Sequence, residues 1–371
     1  MMLSKNYITV FMCGDVMAGR GIDQVLPHPC APHLYEAYMK SALGYVMLAE
    51  QVNGPLDKPV EFQYIWGEAL DELDRMAPDT RLINLETSVT TSEDFEDKGI
   101  NYRMHPENIT CITAARINCC SLANNHVLDW GYPGLIETLE TLQKAGIKYS
   151  GAGRNIGEAE SPAVIDIPGK GRVLVFSFGS ETSGIPSSWA AAKHRPGVNF
   201  LMDFSIKTVL SIKEKISAIK QEGDIAVASV HWGGNWGYGI PDEQREFAHR
   251  LVDEAGFDII HGHSSHHAKG IEVYKERLIL YGCGDFLNDY EGIEGFEYYR
   301  SDLGLMYFVT ADPSTGALAS LKMTPTRIRW FRVNRASTEE GLWLRDMLNR
   351  EGKVLGTRVA AAGDMLILEW K

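Results

Sequence analysis

Successive short apolar runs along this chain end in side chains that can bind a cation or move a proton. Asp15 follows YITVFMC at 7–13, and Asn84-Leu85-Glu86 closes RLINL at 81–85. Asn124-Asn125-His126 follows 117–122, and His231 ends DIAVASV at 224–230. His261-Gly262-His263 ends FDII, with His266 and His267 just beyond, and Gly284-Asp285-Phe286 follows LILYG. One such ending says little. Several on consecutive strands converge on one rim, because ligands of open α/β sheets bind outside the carboxyl ends of the strands. Six of the eleven histidines (126, 231, 261, 263, 266 and 267) fall in these endings. Carboxylate, amide and imidazole together suit divalent Mn, Fe or Zn better than a soft thiolate metal. One or two such ions polarise an oxyanion and make hydroxide available near neutral pH.

The elements that must position these groups alternate in type. Residues 7–13, 81–85, 117–122, 172–178, 224–230, 257–260, 271–274 and 278–281 read as strands, and 133–145, 204–221 and 242–255 as helices. The tail from 303 adds two β-like runs, a helix near 338–350 and a strand at 365–370. This alternation predicts an α/β fold with a central sheet. Residues 28–59, with four prolines, and 290–295 read as long surface loops near the rim. Adjacent Cys119 and Cys120 point to opposite faces of a strand. His261 lies inside a strand and reads as packed or supporting, while alternation lets only one of His266 and His267 face the rim, taken as His266. Arg20 and Arg154 sit in glycine-containing turns where a guanidinium can clamp a substrate carboxylate. Trp130, Trp232 and Trp236 cluster near the same motifs, as pocket wall or as core.

The composition limits the partners. The 371 residues carry 49 acidic and 36 basic side chains, net −13, and 44% are hydrophobic, which excludes a disordered or fibrous chain. That charge argues against nucleic acid, since Coulomb repulsion opposes a polyphosphate partner. An anionic substrate therefore needs locally supplied positive charge, which a bound cation provides. No run approaches about 18 uncharged apolar residues, so no membrane span is expected. The N-terminus lacks a leader pattern, and six cysteines without a CxxC pair read as reduced thiols of a cytoplasmic protein.

Gly14-Asp15-Val16-Met17, Asn84-Leu85-Glu86-Thr87, residues 123–129 (ANNHVLD), His231-Trp232-Gly233 and Gly262-His263 with His266 together resemble the CapA/PgsA poly-γ-glutamate capsule biosynthesis family. The similarity runs from about residue 8 to 290, in the family's order. It implies a calcineurin-like metallophosphoesterase fold, a four-layer αββα sandwich, spanning 1–300, with 301–371 completing the same domain. It further implies metal ligation by Asp15, Glu86, Asn125, His231, His263 and His266, and chemistry by His126 with Asp285. Arg20, Asn84, Arg154 and Trp232 would contact substrate. Met17 stands where the phosphoesterase pattern has a histidine, and Ser265 where it has its last ligand, so the site holds one ion or two. The implied function is metal-dependent hydrolysis or transfer on an anionic small molecule or peptide, with a γ-glutamyl amide favoured. The alternatives are phosphoester hydrolysis and a non-catalytic accessory role in poly-γ-glutamate synthesis. The family's capsule proteins are usually membrane-anchored, so a chain without an anchor is expected to be a soluble relative, possible as a homo-oligomer.

Overall fold

The computed structural model describes residues 6–371 as a mixed α/β protein with two large sheets, and eight α-helices among the described residues. The reading that no leader precedes the first strand falls partly on residues 1–5, outside the described residues. Among the described residues no helix is long and apolar enough to cross a membrane.

The larger sheet has ten strands and is parallel on one side and antiparallel on the other. Ile8–Val16 lies at the change of direction. Thr80–Leu85 pairs parallel to it, followed by Cys119–Ser121 and Lys148–Ser150. On its other side the tail strand Leu303–Ala311 pairs antiparallel, then Leu318–Arg329, Met365–Trp370 and Thr357–Ala362. The seven-stranded sheet runs Gly171–Ser180, Asp224–His231, Ile259–His263 and Arg277–Leu280 in parallel, with the hairpin partner Ile271–Tyr274 at its edge. The single central sheet expected from periodicity is corrected to two, since local alternation cannot say which strands pair.

Side-chain alternation divides the core in three. Phe11, Cys13, Ile83 and Cys120 face Leu73, Leu135, Leu139 and Leu142 of the helices Ala69–Met76 and Gly131–Lys144. The intervening residues Val10, Met12, Leu82 and Cys119 face Val173, Val175, Ile225 and Val227 of the other sheet. The remaining face of that sheet, with Leu174, Phe176, Ala226 and Ile260, meets Val209, Ile212 and Phe247 of Ile206–Ser217 and Asp242–Arg250. Each Val, Leu, Ile, Phe or Met side chain so enclosed contributes roughly 1.5–3 kcal/mol.

The loop expected at 28–59 is corrected. Leu43–Asn53 is an α-helix that buries Tyr45, Val46 and Ala49, and Pro32 and Pro55 lie outside it. The prolines frame an element there instead of excluding one. The helix expected at 242–255 is regular only to Arg250 and continues as a π-turn, Leu251–Ala255. The strand expected at 257–260 is Ile259–His263, so His261 and His263 both lie within it.

Candidate functional site

Parallel pairing brings the polar strand endings together. His231 is in register with His263, and Ser229 with His261, so all four side chains lie on the face turned toward the larger sheet. Asp15 arrives from that sheet through an irregularity in its first strand, where pairing shifts between Met12 and Asp15. Gly14 is required there: a Cβ would lie 1.7 Å from the carbonyl oxygen of Gly284. That close approach lets the Asp15 N–H donate to Gly284 O at 2.9 Å. Bulges of this kind re-aim a side chain next to a site.

Asp15 is fully buried and stands at the centre. Its Oδ1 accepts from Asn84 Nδ2 at 2.8 Å, and its Oδ2 from the Ser264 N–H at 3.2 Å. Ser264 is held at φ 100° to present that N–H, a strained conformation of the sort found at functional sites. Two groups of ligand atoms share Asp15, each within 4.8 Å: one with His231 and His263, the other with His266 and Asp285. His266 Nδ1 lies 2.9 Å from Asp285 Oδ1, whose other oxygen accepts from Asn288. Glu86, 2% exposed, accepts from Asn84 Nδ2 at 2.9 Å. Its other oxygen lies 3.8 Å from His231 Nε2 and 3.9 Å from His126 Nε2.

The hydrogen bonds fix the imidazole tautomers. A carbonyl only accepts, so His261 Nε2 donates to Cys13 O at 2.8 Å. Burial pushes the His261 pKa down to about 4 and keeps it neutral, so its Nδ1 accepts from Ser229 Oγ at 3.0 Å. The Ser229 oxygen is then free to accept from His263 Nε2 at 2.9 Å, leaving a lone pair on His263 Nδ1. His231 Nε2 donates to Asn125 Oδ1 at 2.9 Å, which likewise leaves a lone pair on Nδ1. These two Nδ1 atoms are 2.7 Å apart. Burial first, and neighbouring imidazoles second, hold both rings well below the usual histidine pKa and keep them neutral. Two facing lone pairs beside a carboxylate repel one another unless a cation takes both.

The carboxylates make the same demand. Burial and then the Asp285 charge push Asp15 up to about 7, and burial and the Asp15 charge raise Glu86 well above the carboxylate range. Burial opposes charge on His266, but Asp285 and Asp15 outweigh it and raise its pKa. Neutral imidazoles and crowded carboxylates of this kind are the donor set of a divalent cation, so the residues present fit such an ion.

His126 stands at the edge of this group. Its Nδ1 lies 2.6 Å from Asp129 Oδ2, and Asp129 also receives Lys98 at 2.6 Å and the Tyr102 N–H. Burial lowers the His126 pKa to about 4, leaving a neutral ring whose Nε2 is turned toward Glu86. Asn124 steadies the turn, donating to Asn84 Oδ1 and accepting the His126 N–H.

Three expected substrate contacts are engaged within the protein, although Arg20 also lines the cavity beside His266. Arg20 is buried, bidentate on Asp289 and bonded to Glu36, so its charge is already neutralised within the protein. Arg154 pairs with Glu158 at 2.6 Å, with no contact to the rim among the described residues. Trp232, 2% exposed, packs on Tyr281 and donates to its carbonyl, which makes it core. Trp236 takes its place beside His266, with ring centroids 5.3 Å apart. His267 turns away, toward Tyr238 and Tyr299. Sequence reasoning missed Ser229, Ser264, Lys98 and Tyr290. The spacing of Ser229 two residues before His231 was the one available signal, since it puts both on one strand face.

Comparison with known proteins follows the same residues. The sequence model of the family described as "Bacterial capsule synthesis protein PGA_cap" matches residues 9–290. A Mycobacterium tuberculosis (strain H37Rv) protein named a probable polyglutamine synthesis accessory protein is 48% identical over 98% of this chain and 96% of its own length. The capsule biosynthesis protein CapA of Bacillus anthracis is 25% identical over 76% of this chain and 60% of its own. The PGA biosynthesis protein CapA of Bacillus subtilis (strain 168) is 27% identical over 77% and 64%.

Proposed function

Because this chain belongs to the bacterial capsule synthesis protein family, we propose that it is a metal-dependent hydrolase or transferase for an anionic small molecule or peptide, with a γ-glutamyl amide favoured. The observation that carries this reading is the convergence of the His231 and His263 Nδ1 atoms, 2.7 Å apart, beside Asp15. With helices on the outer faces of two stacked sheets, we assign the fold to the four-layer αββα type of calcineurin-like phosphoesterases, with residues 301–371 part of the same domain.

Asp15, His231 and His263 would hold a first ion, and Asp15, His266 and Asp285 a second, with Glu86 and Asn125 adjacent. A divalent Mn, Fe or Zn ion held there would supply Lewis acidity toward a carbonyl or phosphoryl oxygen and toward water. His126 carries its proton on Nδ1 against Asp129, so Nε2 takes a proton from the attacking water and returns it to the leaving nitrogen. Asn84 orients Asp15 and Glu86 by donating to both. Most of the rim is buried, which strengthens the charge interactions in it.

Phosphoester hydrolysis is the second reading, favoured by two donor groups sharing one carboxylate, as in sites that clamp both the attacking and the leaving oxygen. The test is elemental analysis of purified protein, then turnover of γ-glutamyl amides and phosphoesters after chelation and after reloading with Mn, Fe or Zn. His126→Ala should keep its metal and lower kcat by about 10²–10⁴-fold. Metal-independent turnover would overturn the reading. Metal binding without turnover of any substrate would favour the accessory role for which the mycobacterial relative is named. We place the protein in the cytoplasm, and a homo-oligomer is compatible with this reading.

A further inference from the structure

The rim opens on one side into a cavity of about 420 Å³ whose wall includes His266. Trp236 lies against His266 and stacks face to face on Phe296, with centroids 3.9 Å apart. Tyr290 lines the same cavity and meets His266 edge-on at 5.5 Å. Tyr38, Val52, Ile293 and Phe296, all lining it, are four of the fourteen large apolar side chains left exposed among the described residues, at 45% to 70%. Such groups are ordinarily scattered, and their gathering at one mouth marks a binding surface.

Most charges in the wall are paired within the protein; Arg329 donates to Asn53 and lies over Trp330, and Glu297 accepts the Gly295 N–H, both outside any ion pair. Arg300 donates two hydrogen bonds to Asp302, Arg327 reaches Glu340 at 2.6 Å, and Arg20 is bidentate on Asp289. Glu291 accepts the backbone N–H groups of Trp330 and Phe331. An extended polyanion would find mostly apolar surface here, with Arg329 as its one cation outside an ion pair among the described residues. A flat apolar group would find aromatic faces and edges, at a place where the rim's donor set begins.

Resting on the reading of the rim as the reaction centre, we propose that this cavity receives an apolar, aromatic-sized group of the ligand, whose anionic end faces the rim. The substrate is thus amphipathic, a γ-glutamyl-type anion joined to an apolar partner, in preference to an all-glutamyl chain. The specificity residues are Trp236, Tyr290, Ile293 and Phe296.

Binding of 4-(2-naphthyl)butyrate and of butyrate to the protein as purified tests this without turnover, because neither has a bond to hydrolyse. The naphthyl compound should bind at least about tenfold more tightly, since burying an aromatic group is worth that much. Ile293→Asp and Phe296→Ala, both at partly exposed positions, should each remove most of that preference while melting near the wild-type temperature. Equal affinity for the two compounds, or a preference that survives both substitutions, overturns the proposal. In the turnover arm, γ-glutamyl-2-naphthylamide should exceed γ-glutamyl-glutamate in kcat/KM by a similar factor, and the reverse order overturns the proposal. Failure to turn over either sinks the hydrolase reading alone, because the binding arm decides the cavity by itself.

Discussion

The hydroxyl of Ser229 decides which nitrogen His263 offers. It donates to His261 and accepts from His263, so the lone pair of His263 is aimed at the rim and not into the sheet. Partners of this kind orient a ligand and raise its basicity. Ser229→Ala should therefore weaken metal binding by about 10–100-fold in a chelator competition, while the protein melts as before. Unchanged affinity would count against the relay. Asp15 gives a pH prediction. Its folded pKa, about 7, lies above its ordinary 3.8, so between those values the folded state holds the extra proton. Stability of the metal-free protein then falls as pH rises through that window. A divalent ion takes only the deprotonated carboxylate, so its stabilising effect grows over the same range. Added Mn or Zn should raise the melting temperature more at pH 8 than at pH 5, and Asp15→Asn should flatten that difference. An equal rise at both pH values would contradict it.

At the scale of elements, the helix Ala69–Met76 ties the first half of the chain to the tail. Glu72, fully buried, receives Arg75, Thr324 and Arg335. Burial opposes its charge, yet Arg75 and Thr324 outweigh that and hold its pKa below the ordinary 4.5. A lowered carboxylate stabilises the fold above its unfolded pKa, and that stability is lost as pH falls through the folded value. Glu72→Gln should cost about 1–3 kcal/mol at pH 7 by urea unfolding, and less in acid below the folded value, where the wild-type acid is itself protonated. An equal loss at both pH values would contradict it. The strand Ile259–His263 illustrates how local reading falls short. Its β-branched start is plain in FDII, but its last three residues are His-Gly-His, which local propensity does not extend as a strand. Pairing with Asp224–His231 carries it on, and that places His263 beside His231.

The tail supplies the antiparallel half of the larger sheet, and Leu303–Ala311 pairs along Ile8–Met12 of the first strand. Removing residues 303–371 would bare that strand's N–H and C=O groups together with Val10, Met12 and their neighbours in the middle core. The truncated chain should be insoluble on expression, and a soluble chain with native circular dichroism would refute this. A gentler probe is Leu321→Ala, which empties a fully buried position between the sheets and should cost about 2–5 kcal/mol in denaturant unfolding. The same tail, through Arg327 and Ile328, helps wall the cavity beside His266, so fold and specificity share one segment.

Much of this protein is determined along the chain itself. Apolar runs broken by Asp, Asn and His state where strands stop and what chemistry waits there, because secondary structure and side-chain alternation depend on near neighbours. The family motifs from Asp15 to His266 add the candidate site residues in order. Only the tertiary structure decides how those residues are arranged. Asp15 and Ser264 are 249 residues apart when they bond, and His261 reaches Cys13 across 248. No local period encodes such pairs. The tautomers, the internal neutralisation of Arg20, the turning of Trp232 into the core and the apolar cavity at Trp236 all follow from which distant strands pack against each other. That choice is made by burying three separate cores at once, a property of the whole chain and of no one segment.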